Sequence, residues 1–187
     1  MQSAYAFSLV DQGKVQEHLS FLKKSILDSL DLLILQLALF KALKLHLVKE
    51  IESHQNKYLK HTESVLSTEI LLKNKYFDFI AEHPVLLKKI SSSKLNNWEI
   101  EFKLVERLWD EIKKDDDFIA ICNISEPDIA SQREIIIKIF ENKIASAAYL
   151  HQFYEDLKLT WLDDLPVVNT FILKSLKQID PKNSHSL

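Results

Sequence analysis

The chain has 187 residues, 47% apolar and 27% charged, enough to fold around its own core and unlike a disordered tail or a disulfide miniprotein. One glycine (Gly13), four prolines and one cysteine (Cys122) are too few for a fold of many tight turns, a phosphate loop, a nucleophile elbow or a multi-thiolate metal site. Net charge is −3, with +2 over residues 1–62, −3 over 63–124 and −2 over 125–187; only Arg107 and Arg133 supply guanidinium groups, so composition alone disfavours nucleic-acid binding.

Residues 2–10 read as a short helix carrying Tyr5 and Leu9 and ending at Gly13. From Lys14 to about His61 nothing breaks a helix. Leu19, Leu22, Ile26, Leu30, Leu33, Leu37, Phe40, Lys44 and Leu47 step by three and four, and between Ile26 and Val48 the apolar residues spread around most of the circumference. This predicts a central helix, straight or bent. A helix over Thr68–Glu82 follows, stopped at His83 by Pro84, then a short one over Val85–Ile90. Ser91–Lys94 reads as a polar linker, with Asn96 opening the next helix through a capping box to Glu99 and a staple of Leu95 on Ile100.

That helix carries Trp98, Phe102, Val105, Trp109 and Ile112 as one apolar seam, and Lys113–Asp117 ends it before a small apolar knot at Phe118–Ile121. Ser125-Glu126-Pro127-Asp128 combines an N-cap, a first-turn proline and an acid near the dipole's positive end, predicting a helix to Ile144. Helices over Ala147–Leu157 and from Trp161 to Ile179 complete the chain, with Pro181 ending the last. The expected fold class is all-α, a bundle of six to eight helices. Residues 1–94 form an amino-terminal part that includes the long apolar helix, 95–180 a carboxy-terminal part packed on it, and 181–187 a frayed tail. The start lacks a basic region followed by an apolar block, and the run Leu32–Phe40, bounded by Asp31 and Lys41, is too short for a bilayer of ~30 Å. A soluble cytoplasmic protein with no membrane contact is expected.

Several side-chain sets invite a chemical reading. His46, Glu50 and His54 share one helix face, but the chain contains no Glu-x-x-His pair of the kind bundle metal sites use, so structural histidines are expected and no metal. Asp115–Asp117 and Asp163–Asp164 lie at helix boundaries, where acids serve capping and the dipole rather than acid–base catalysis. Trp98, Trp109 and Trp161 read as core anchors rather than base-stacking platforms. Lys23, Lys24, Lys41, Lys44 and Lys49 make the long helix mildly basic, the pattern of a solvated face. No catalytic residue and no cofactor is expected.

Two stretches are more particular. The opening Met1-Gln2-Ser3-Ala4-Tyr5-Ala6-Phe7 resembles the first helix of the NusB transcription antitermination family, in which an arginine-rich run leads into Gln-x-x-Tyr. The block Trp161-Leu162-Asp163-Asp164-Leu165-Pro166-Val167-Val168-Asn169-Thr170-Phe171-Ile172-Leu173-Lys174-Ser175-Leu176-Lys177 resembles one found in long members of that family. Phe21-Leu22-Lys23-Lys24-Ser25-Ile26 and Leu95-Asn96-Asn97-Trp98 ahead of Leu108-Trp109-Asp110-Glu111-Ile112 agree in order, so the resemblance covers nearly the whole chain.

The resemblance implies an all-helical cytoplasmic protein that pairs with the small ribosomal-subunit protein NusE, binds a boxA-type RNA and loads onto RNA polymerase without catalysis. Residue by residue it carries over only Gln2 and Tyr5 as RNA-proximal, an amide to read a base edge and a ring to stack on one. Without the basic context before it, Tyr5 reads first as a residue packed on the long helix and second as an RNA contact. The family's arginine-rich run before Gln2 and its carboxy-terminal helical block have no counterpart between Met1 and Leu187, so the chain is expected to be a piece of a longer factor, with weakened RNA affinity and a tendency to self-associate through apolar surface. The alternative is a helical protein-interaction module that never touches RNA.

Overall fold

The 42 residues Val15–Asn56 contain no glycine or proline and form one uninterrupted helix, α1. The structure, a computed structural model, describes residues 15–56, 63–93, 95, 97–124 and 127–181. The rest of the chain is helical too: α2 (Glu63–Leu72), α3 (Lys75–Ala81), α4 (Pro84–Ser93), a 3₁₀ turn (Asn97–Glu99), α5 (Phe102–Ile112), α6 (Asp116–Cys122), α7 (Ile129–Ile139), a π turn (Phe140–Ile144), α8 (Ala148–Leu157) and α9 (Trp161–Gln178). Among the described residues there is no strand. The fold is an all-α bundle, as the patterning requires. Gln2, Tyr5 and the expected helix over 2–10 lie outside the described residues, as do 182–187 of the expected tail.

Helix α1 packs against α2, α3, α4, α5, the 3₁₀ turn and α9. Its buried run begins at Leu32 and reaches Leu47, shorter than the Ile26–Val48 expected from the pattern: Ile26, Leu27 and Leu30 stay in water. The reason is tertiary: in the contacts described between α1 and the later helices, Trp161, Lys158 and Asp164 meet it at Asp28 and Ser29, past these residues. Below that level one apolar cluster runs through both halves of the chain, from Leu32 to Ile179, with Phe40, Phe77, Trp109, Phe118, Phe140 and Tyr154 fully buried in it.

All three tryptophans are buried and donate their indole N–H toward α1. Trp161 Nε1 donates to the Asp28 carbonyl at 2.9 Å, Trp98 Nε1 to the Leu35 carbonyl at 2.8 Å, and Trp109 Nε1 to Glu50 Oε2 at 2.7 Å. A helix carbonyl keeps a second lone pair beside its intrahelical bond, so two of these cost α1 nothing. Trp98 also stacks at 4.9 Å from Phe153 and edge-on to Tyr154.

Four boundaries differ from the sequence pattern. The helix expected over Thr68–Glu82 breaks at Asn74, whose Oδ1 caps α3 by accepting from Tyr76 and Phe77 N–H, while its Nδ2 donates to the Gln132 carbonyl of α7 at 2.8 Å. Ser91–Ser93, expected as a linker, are the last turn of α4, their hydroxyls donating back to the Lys88 and Lys89 carbonyls. Asn96 of the expected capping box lies outside the described residues; beyond it a single 3₁₀ turn over Asn97–Glu99 precedes α5, and Ile100 is exposed rather than stapled. The apolar knot is a true helix, α6, begun by Asp115 accepting from Phe118 N–H.

Helix α7 starts at Ile129, three residues later than a cap at Ser125 would set it, with Asp128 as its cap accepting from Ser131 N–H at 2.7 Å, and gives way at Phe140 to a π turn closed by Ala145 N–H donating to the Phe140 carbonyl at 2.7 Å. Pro166 sits inside α9, six residues into it.

Two side chains buried in the core, Gln36 and Tyr154, have polar atoms with no hydrogen-bond partner. Gln36 is 1% exposed, and neither of its amide atoms finds a hydrogen bond. Burying an unpaired amide costs about 1–3 kcal/mol. Gln36→Met is therefore expected to raise the melting temperature by several degrees, at about 2–4 °C per kcal/mol for a chain of this size; thermal unfolding followed by circular dichroism reads it. Replacing the indoles by Phe is expected to cost about 1 kcal/mol at Trp161, whose acceptor is a carbonyl, and about 2 at Trp109, whose acceptor is a carboxylate, measured as urea midpoints at constant m.

Candidate nucleic-acid interface

The long helix turns one basic stretch toward a cleft. Lys41, His46 and Lys49 of α1 line one side, the buried ring of Trp98 lies in the cleft with Ala38, Leu45, Ile90 and Val105, and Glu99, Phe102 and Glu106 line the other; the enclosed volume is 480 Å³. Spacing explains the first wall, because 41, 45 and 49 are successive i, i+4 positions and 46 neighbours them on the same side. Phe102, expected inside the α5 seam, is half-exposed at the cleft's edge. The seam itself is Val105, Leu108, Trp109 and Ile112, all buried. A half-exposed ring beside two ammonium groups is the pairing that single-stranded nucleic acid uses, a stacking face with charge nearby.

Among the described residues neither Lys41 nor Lys49 enters an ion pair. Lys44, between them, does: its ammonium bonds Asp78 and Glu82 of α3. Burial works against its charge, but those two carboxylates outweigh it and raise its pKa, so Lys44 belongs to the α1–α3 contact rather than to the cleft. Both arginines are likewise occupied. Arg107 donates to Glu111 at 3.0 Å and lies 3.9 Å over the Tyr149 ring; Arg133 donates to the Ile179 carbonyl at 3.2 Å beside Tyr76.

The other sets resolve into structure. Glu50 accepts from Trp109 and from Thr68 Oγ1 at 3.0 Å, with the Lys113 ammonium at 3.8 Å. No group of three His, Cys, Asp or Glu among the described residues is placed to hold a metal ion. Cys122 lines a second, mostly apolar cleft of 690 Å³ between α2, α6 and the start of α7. Burial pushes its thiol up against the Ser67 hydrogen bond, the opposite of an activated nucleophile. Asp164 accepts from Ser29 at 3.0 Å, tying the start of α9 to α1, and no helix among the described residues is long and apolar enough to cross a membrane.

Within Asp115–Asp117, Asp117 pairs with Lys138 at 3.0 Å and Asp115 with Lys143 of the π turn at 2.8 Å. Burial pushes the Asp115 carboxyl up, yet the Lys143 and Phe118 hydrogen bonds outweigh it and hold its pKa below the ordinary value. A carboxyl depressed in the folded state contributes stability above its unfolded value, and that contribution is lost as pH falls through the folded one. Asp115→Ala is thus expected to cost about 1–2 kcal/mol at neutral pH, with the deficit shrinking below about pH 4. Paired urea titrations across that range check it.

Sequence reasoning identified the lysines of α1 but not the cleft, since nothing in the order Leu95–Phe102 signals that a 3₁₀ turn will place Trp98 and Phe102 opposite them. No protein-family profile, curated protein or solved structure matches the chain.

Proposed function

We propose that the chain acts as a NusB-like antitermination accessory, a non-catalytic helical protein that, with NusE, holds a boxA-type RNA and alters how RNA polymerase responds to terminators. The observation that carries the reading is where the family-like residues sit. Trp161 and Asp164 of the carboxy-terminal block, Trp98 of Leu95-Asn96-Asn97-Trp98 and Trp109 of Leu108-Trp109-Asp110-Glu111-Ile112 are the residues that fasten their helices to α1. Part of the resemblance therefore falls on contacts that hold the fold together, while Phe21, Leu22, Ile26, Val167 and Phe171 of the same stretches lie on the surface.

With Arg107 paired to Glu111 on the surface and Arg133 bound to the Ile179 carbonyl, the reading assigns attraction for phosphate at the cleft to Lys41 and Lys49 and to the basic surface that NusE brings, with Phe102 as the stacking face. Titrating a boxA-type RNA at two salt concentrations, with and without NusE, is expected to give NusE-dependent binding. The double variant Lys41→Glu, Lys49→Glu is expected to flatten the log affinity against log salt by about 1.4, from roughly 0.7 per phosphate contact on a single strand. Absence of binding under either condition overturns the reading in favour of a protein-interaction module, which the bare apolar side of α1 favours independently.

A further inference from the structure

The cleft beside α1 holds charges of both signs that do not neutralise one another. Lys41 and Lys49 stand on the α1 wall, Glu99 and Glu106 on the wall made by the 3₁₀ turn and α5, with an apolar floor of Ala38, Leu45, Trp98 and Val105 between them. Among the described residues none of these four charges enters an ion pair, whereas Lys44, Lys113, Lys138, Lys143 and Lys158 each find a carboxylate. The separation is built into the fold. Trp98 bonds α1 at Leu35 and Trp109 bonds it at Glu50, about 22 Å further along, so α5 runs beside α1 in the same direction and is fixed at both ends. Glu106, one turn before Trp109, is thereby set near the Lys49 end of the cleft, and Glu99, next to Trp98, near the Lys41 end. Phe102 lies between the two carboxylates, 53% exposed, and stands four residues before Glu106 on the same side of α5. A ring and a carboxylate one helical turn apart thus face two ammonium groups across the floor.

We infer that the cleft reads one unstacked guanine, its ring on Phe102, its Watson–Crick edge on the Glu106 carboxylate and its flanking phosphates on Lys41 and Lys49. The inference rests on the RNA reading above and names the base that the reading leaves open. Ammonium groups attract phosphate and carboxylates repel it, so a nucleotide enters with its backbone toward α1 and its base toward α5. An ionised carboxylate only accepts hydrogen bonds, and it does so through two oxygens side by side. Among the RNA bases, guanine alone offers two adjacent donors on its Watson–Crick edge, the N1 imino and N2 amino groups. Adenine and cytosine set one amino group beside an acceptor nitrogen, and uracil sets its single imino group between two carbonyl oxygens, which a carboxylate repels. Stacking combined with reading of the edge is how proteins recognise splayed-out bases in single-stranded RNA. The cleft's 480 Å³ falls within the roughly 300–1,000 Å³ of small-ligand sites, which admits a single base rather than a duplex.

Fluorescence anisotropy of the full chain with NusE tests both levels. The boxA-type RNA tests the reading above; labelled oligouridylates that differ only at one central nucleoside, guanosine, inosine, adenosine or uridine, test this inference. The guanosine probe is expected to bind about tenfold more tightly than the uridine or adenosine probe, and the inosine probe, which lacks the 2-amino group, to fall between them. Glu106→Gln is expected to abolish that preference without weakening the uridine probe, and to leave the melting temperature unchanged because its side chain is exposed and forms no ion pair among the described residues. Lys41→Glu with Lys49→Glu is expected to weaken every probe alike and to keep the preference. No binding of any RNA overturns the RNA reading and this inference together. Binding of the boxA-type RNA with equal affinity for all the oligouridylates, or a guanosine preference that survives Glu106→Gln, overturns this inference alone. So does a loss of NusE binding by Glu106→Gln in the absence of RNA, which assigns the acidic wall to the protein partner.

Discussion

Three indole N–H groups meeting one helix are the constraint on which the rest of this structure depends. They touch α1 at Asp28, Leu35 and Glu50, levels spread over about 33 Å of its length, and they arrive from α9, the 3₁₀ turn and α5. Each brings a large apolar body and one directional bond, so each fixes both the distance and the rotation of the element that carries it. Apolar burial alone would let short helices slide along α1; a donor that must find its acceptor will not. The chain's near-total lack of glycine fits this arrangement, because short helices set by side-chain anchors have little need of backbone corners.

Much of the charge in the bundle is spent on the same task. Lys44 joins α1 to α3, Lys143 joins the π turn to the start of α6, Lys158 joins the end of α8 to α1, and Arg133 closes the end of α9. Partly exposed pairs of this kind are worth little individually. Their effect here is selective: they commit Lys44, Lys143, Lys158 and Arg133 to joining elements of the fold and leave Lys41 and Lys49 at the cleft.

The long-period features were legible in the sequence. Helix α1 could be read because 42 residues lack any breaker, the stop at His83 because Pro84 follows it, and the tryptophans as anchors because each lies on an apolar run. What could not be read was settled by distant partners. Asn74 looks like a mid-helix residue until Gln132 of α7 engages it, and Ser91–Ser93 look like a linker until their hydroxyls turn back onto α4. Phe102 fits the α5 periodicity as well as Val105 does, and only the preceding turn leaves it at a cleft. Ile26 and Leu30 share the pattern of Leu37, but periodicity cannot say where the covering helices end.

Because α1 runs without interruption from Val15 to Asn56, it also acts as a ruler. The Trp161 anchor at Asp28 and the middle of the wall formed by Lys41 and Lys49 belong to one rod, about 26 Å apart along its axis, so the short helices that dock on it are held at fixed spacings from one another.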